Sequence, residues 1–97
     1  MASVLGILVR DARLIFREAI MELEKFYTGL ADIFEVSPDS INENIYFDNE
    51  TFVWDSLAIV STLALADECF GVILSGQLLF ECESVGDIVN LIEQRLR

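Results

Sequence analysis

From Leu5 to Phe34 the apolar residues of this chain recur at steps of three and four. Leu5, Leu8, Val9, Ala12, Ile15, Phe16, Ala19, Ile20, Leu23, Phe26, Tyr27, Leu30, Ile33 and Phe34 share one face of an α-helix at that spacing. An unbroken helix of this length would span about 45 Å, which is longer than a compact domain of this size needs. The stripe therefore calls for a break, a free arm or a partner chain over part of it. On this basis the chain divides into an N-terminal amphipathic helical extension, residues 1–20, and a helical bundle, residues 21–97. Met21 also stands where a shorter chain could begin.

With 97 residues the chain is one domain. Such a domain buries roughly two thirds of the surface its unfolded chain exposes. An apolar share of 54% supplies the core and argues against disorder. No apolar run approaches the ~20 residues that cross a bilayer, so no transmembrane segment is expected. The run Val4 to Val9 is too short for a signal peptide and lacks a leading basic region. Three arginines give the first 20 residues a faint likeness to a transit peptide, which Asp11 and Glu18 oppose.

The chain has 17 acids, 6 bases and a net charge of −11, with no Lys or Arg between Phe26 and Gln94. A body this acidic repels nucleic-acid phosphates and attracts basic patches on other proteins. There is no His, and Cys69 and Cys82 alone are too few for a structural zinc site. They read as reduced, half-buried thiols of a cytoplasmic protein.

Ser37-Pro38-Asp39 is a stop and turn signal, with Ser37 placed to cap a short turn. The irregular stretch from Asn42 to Trp54 reads as a loop that Phe47, Phe52 and Trp54 pin to the core. A second helix is expected from Leu57 to about Phe70, burying Leu57, Val60, Leu63, Ala64 and Phe70 and ending at Gly71. A loop and one helical turn near Gln77 to Phe80 follow. Ser84, with Asp87 three residues on, opens a last helix whose buried stripe is Val85, Ile88, Val89, Ile92 and Leu96.

The usual enzyme constellations are missing: no histidine base, no glycine-rich phosphate loop, no HExxH. A small helical domain also has little room for a substrate cleft. Asp55-Ser56-Leu57 by itself says only that a helix begins, because Asp and Ser both favour the N-cap. Its surroundings say more. A long first helix, a loop of nearly 20 residues, Asp55-Ser56-Leu57, a helix ending in Asp67-Glu68-Cys69-Phe70-Gly71, and Ser84-Val85-Gly86-Asp87 before a terminal helix occur in that order.

This arrangement resembles an acyl carrier protein over about Leu23 to Leu96. The resemblance implies an all-α, four-helix bundle with a short third helix. It implies that a phosphopantetheinyl transferase esterifies Ser56 with 4′-phosphopantetheine from coenzyme A, flanked by Asp55 and Leu57. The arm's thiol would hold an acyl group as a thioester for delivery to separate enzymes with basic docking surfaces. The chain itself would catalyse nothing. A hydroxyl at a helix start faces solvent, and a phosphodiester there meets free N–H groups, worth roughly 0.3–1 kcal/mol. On this reading Val60, Leu63, Ala64, Ile73 and Leu74 shelter the cargo, and Trp54, Ile59, Asp67 and Glu68 meet partners.

Two features depart from the family pattern. Phe52-Val53-Trp54 stands where a small residue usually precedes the Asp-Ser pair, and Ala58-Ile59-Val60-Ser61-Thr62 replaces an acidic stretch. With Leu65 and Ala66, the second helix is apolar nearly all round, which calls for cover on more than one side. Residues 1–20, a dedicated partner, or a second copy in a homodimer could supply it. These departures point to a specialised carrier rather than the housekeeping carrier of fatty-acid synthesis. An aminoacyl carrier of the same fold and an unmodified interaction module are the competing readings.

Overall fold

The computed structural model describes residues 12–96. Among these it contains four α-helices: α1 Ala12–Phe34, α2 Ser56–Phe70, α3 Gly76–Phe80 and α4 Val85–Leu96. The bundle is all-α, with a short third helix. A 3-10 turn, Pro38–Ser40, follows α1, and isolated bridges join Tyr46 to Ser84 and Asp48 to Val53. No helix among the described residues is long and apolar enough to cross a membrane. The readings made for residues 1–11 lie outside the described part. From Ala12 onward α1 is one helix, running through the division drawn at residues 20 and 21.

Each helix gives its apolar stripe to one core. Phe26, Leu30 and Phe34 come from α1, Leu79 from α3, and Val85, Ile88 and Ile92 from α4, all buried. Full burial of such a side chain is worth about 1.5–3 kcal/mol. α1 and α2 run antiparallel: Phe26 meets Phe70 at a ring separation of 5.8 Å, and Phe34 meets Trp54, just before α2, at 6.3 Å. Between those contacts Leu65 lies over Gly29, so closely that a Cβ there would come within 2.5 Å of its Cδ1.

The buried face of α2 differs from the one expected. Ala58, Ile59, Thr62 and Ala66 are buried, while Leu57 and Val60 are 75% and 61% exposed and Ala64 also faces out. Leu63 and Phe70 are half-buried. A helix that is apolar all round carries little periodic information about which side faces in. Contacts with α1 decide it. Leu96, expected in the stripe of α4, is exposed at the chain's end.

Local signals set the helix ends. α1 finishes with Glu35 in the left-handed region at φ 57°, and the Val36 N–H donates to the Ala31 carbonyl at 2.9 Å. This is the Schellman arrangement without its usual glycine. Ser37 then caps the 3-10 turn, its hydroxyl accepting the Asp39 N–H. Gly71, at φ 66°, ends α2, and Ser75 caps α3. At α4, Ser84 Oγ accepts the Asp87 N–H at 3.2 Å, and the Asp87 carboxylate reaches back to the Glu83 N–H at 2.9 Å. The carboxylate thus reaches one residue beyond the cap N–H that a true capping box uses.

The loop supplies what α4 still lacks. The carbonyls of Ile45 and Glu43 accept the N–H groups of Val85 and Gly86 at 2.9 and 3.0 Å. These are donors that no helix satisfies internally. The approach depends on glycine: a Cβ at Gly86 would stand 2.9 Å from the Glu43 carbonyl oxygen, a backbone atom with no room to yield. Gly86→Ala should therefore cost about 1–3 kcal/mol in urea unfolding. The Thr62 hydroxyl, wholly buried, has no hydrogen-bond partner among the described residues. Thr62→Val should raise stability by about 1 kcal/mol, read from the same unfolding curves.

Candidate functional site

The site is assembled at the head of α2. Asp55 is the N-cap: its backbone is extended, and its Oδ1 accepts the Ala58 N–H at 2.9 Å. Ser56 is the first helical residue and is exposed. Because Asp55 makes the capping bond, the Ser56 hydroxyl is not needed for it. Leu57 beside it is also exposed. Helix N-termini carry unpaired N–H groups and the positive end of the helix dipole.

The chain reaches Ser56 through a rigid approach. Asp48 Oδ1 accepts three backbone N–H groups, from Glu50 at 2.9 Å and from Thr51 and Phe52 at 2.8 Å. The N–H groups of Glu50, Phe52 and Thr51 hold its carboxyl below the ordinary carboxylate value, since each bond favours the ionised form. The Asp48 N–H in turn donates to the Phe52 carbonyl at 2.9 Å. Beyond this knot Phe47 stacks on Trp54 with ring centroids 4.3 Å apart, and Phe52 meets Phe34 edge-on at 5.5 Å. Trp54 Nε1 donates to the Leu79 carbonyl at 2.7 Å, fixing the residue two before Ser56 to α3.

These contacts bear on two residues expected at partner surfaces. Ile59 is buried in the core and presents nothing to a partner. Trp54 is half-buried, with one ring face and its N–H committed inside the fold. Asp67 and Glu68 are exposed at the other end of α2. Among the residues expected to shelter cargo, Val60, Ala64 and Ile73 are exposed, Leu63 is half-buried and Leu74 is buried. They make an apolar strip beside α2 rather than an enclosed chamber.

A cleft that no spacing in the sequence announced lies at the head of α2, with Asp55 and Leu57 in its wall. It holds about 340 Å³ between the end of α1, the loop at Glu50 to Val53, and the first turns of α2. Ile33, Leu57 and Ala58 line it together with the carboxylates of Glu35, Glu50 and Asp55. Its walls are far apart in sequence, so no local spacing announces it. The chain's own thiols stand apart from this chemistry. Burial, with help from Asp87 and Glu81, pushes Cys82 up to about 11, and burial also raises Cys69. Among the described residues no group of His, Cys, Asp and Glu is arranged to hold a metal ion.

A helical bundle that presents a free hydroxyl at the start of its second helix defines the architecture of acyl-carrier-like domains. A family model described as a phosphopantetheine attachment site matches residues 24–92, more than two thirds of the chain. The chain belongs to that family and is a carrier domain for covalently attached 4′-phosphopantetheine. No curated protein and no solved structure matches it.

The Asp48 knot makes the approach to Ser56 sensitive to acid. A carboxyl whose folded value is depressed stabilises the fold above its ordinary value, and that contribution is lost as pH falls through the folded value. Emission of Trp54, the single tryptophan, should therefore change below the ordinary Asp48 value of 3.8. Asp48→Asn should show the altered emission already at neutral pH. Overlapping profiles for the two proteins would contradict the assignment.

Proposed function

We propose that Ser56 is the residue esterified by the phosphopantetheine arm, and that the chain is an acyl carrier that hands its cargo to separate enzymes. The observation that carries this reading is the division of roles at the head of α2, where Asp55 caps the helix and leaves an exposed Ser56 hydroxyl beside it. The site suits the group. A phosphodiester on Ser56 meets helix N-terminal N–H groups, while the nearest carboxylate is already bonded to Ala58. Leu57 is exposed and leaves the approach to the hydroxyl open. When attached, the arm supplies a thiol on which an acyl group is held as a thioester.

The residues around Ser56 have separate tasks. Asp55 fixes the start of α2, Trp54 holds that start against α3, and the strip of Leu57, Val60, Ala64 and Ile73 offers apolar surface to a cargo or to a partner. Asp67 and Glu68 are exposed acids available to basic surfaces, where docking is fast and readily reversed. The transferase that modifies Ser56 and the enzymes that load and unload the arm are the partners on this reading. The apolar outward side of α2 favours dedicated partners and thus a specialised carrier over a housekeeping one. Two free cysteines agree with a cytoplasmic setting. A second reading, an aminoacyl carrier, draws support from Glu35, Glu50 and Asp55 around the cleft beside Ser56, which would favour a cargo bearing an ammonium group.

Incubation with coenzyme A and a broad-specificity phosphopantetheinyl transferase, followed by intact-mass measurement, should show one added arm. Ser56→Ala should show none. A protein left unmodified by several transferases would instead be an interaction module of the same fold.

A further inference from the structure

Among the described residues the bundle is open at the end away from Ser56. Ile20 and Leu23 of α1, Phe70 of α2, and Val89, Ile92 and Leu96 of α4 line a groove of about 320 Å³, with Glu93 among its walls. Ile20 and Leu96 are 42% and 56% exposed, although both lie on the apolar side of their helices. α1 does not stop at this groove. It begins at Ala12, about two turns or 12 Å before Ile20. By then its neighbours are finished: α2 ends at Phe70, against Phe26, and α4 ends at Leu96, in the groove with Ile20. In the sequence the apolar stripe nevertheless continues through those turns as Ala12, Ile15, Phe16 and Ala19.

We infer that the groove receives the N-terminal turns of α1 from a second copy of this chain, in a two-fold pairing in which each copy's arm covers the other's groove. Charge selects this occupant. Arg13 and Arg17 belong to these turns, whereas the stretch from Phe26 to Gln94 has no base and holds all but four of the 17 acids. These turns are continuous with α1 and run past the ends of α2 and α4, so among the described residues no acidic surface faces them, and that of another molecule is left for them to meet. Glu93, at the groove, is placed for an arginine arriving with such an arm. The stripe and the groove form one continuous surface, and two such surfaces laid antiparallel complement each other, as an isologous interface requires. Ile20 is about 20 Å along α1 from Phe34, which packs near Trp54 and the head of α2. Pairing at this end leaves both Ser56 hydroxyls accessible, so the inference stands whether or not Ser56 carries the arm.

Light scattering on a sizing column and sedimentation velocity, run on the full chain over a concentration series, test it. The expected mass is that of two chains. Ile20→Asp should give one chain, with the far-UV helical signal unchanged and coenzyme A-dependent modification of the chain as in the wild type. Glu93→Arg should raise the dimer dissociation constant about tenfold, because each ion pair occurs twice in a two-fold interface. Adding Arg13→Glu and Arg17→Glu to that variant should restore pairing. A wild type that stays a single chain at every concentration overturns the inference. An Ile20→Asp protein that stays paired, or a charge exchange without recovery, does the same.

Discussion

The position of Ser56 depends on the loop between α1 and α2 being held as tightly as a helix. Four aromatic side chains do much of this. Phe34 closes α1, Phe47 and Phe52 pack against it, and Trp54 stacks on Phe47. The same loop lends the carbonyls of Glu43 and Ile45 to the N-terminal donors that α4 cannot pair internally. A connection of some 20 residues would otherwise carry a large entropic freedom into the place where α2 begins. Here the loop is a structural layer in its own right, joined to α1 by rings and to α4 and α3 by hydrogen bonds.

Much of this was legible in the sequence because local chemistry dictated it. The stripe through Phe26, Leu30 and Phe34, the stop at Ser37-Pro38-Asp39, the glycine ending α2 and the cap at Ser84 are read from neighbours in the chain, and the structure contains each of them. The aromatic residues of the loop were legible as anchors because Phe47, Phe52 and Trp54 cluster within a largely polar stretch. The family resemblance rested on motif order, and the match over residues 24–92 agrees with it.

What was not legible depends on the third dimension. Which side of α2 faces inward was misread because Leu57, Val60 and Ala64 are as apolar as Ile59 and Ala66. Only the fit of Leu65 onto Gly29 and of Ala58 near the end of α1 distinguishes them. The same reading set Ile59 at a partner surface, although it is buried, and took Val60 and Ala64 for core-side residues, although both are exposed. The end of α1 at Phe34 was legible from the stripe and the stop signal, but its left-handed residue was not, since a glutamate, Glu35, adopts the conformation that a glycine usually marks. The cleft beside Ser56 joins residues from α1, the loop and α2, and no spacing along the chain could show it.

The assignment of capping to Asp55 has a consequence for how a loaded and an unloaded molecule differ. If Ser56 itself closed the helix, each attachment or removal would open and reseal the first turn, and the fold would register its own cargo. With the neighbouring carboxylate in that role, the capping bond need not be spent when a group is attached at Ser56 as proposed. On the proposed attachment at Ser56, an enzyme that tells a full carrier from an empty one would then read the appendage rather than a change in the first turn of α2.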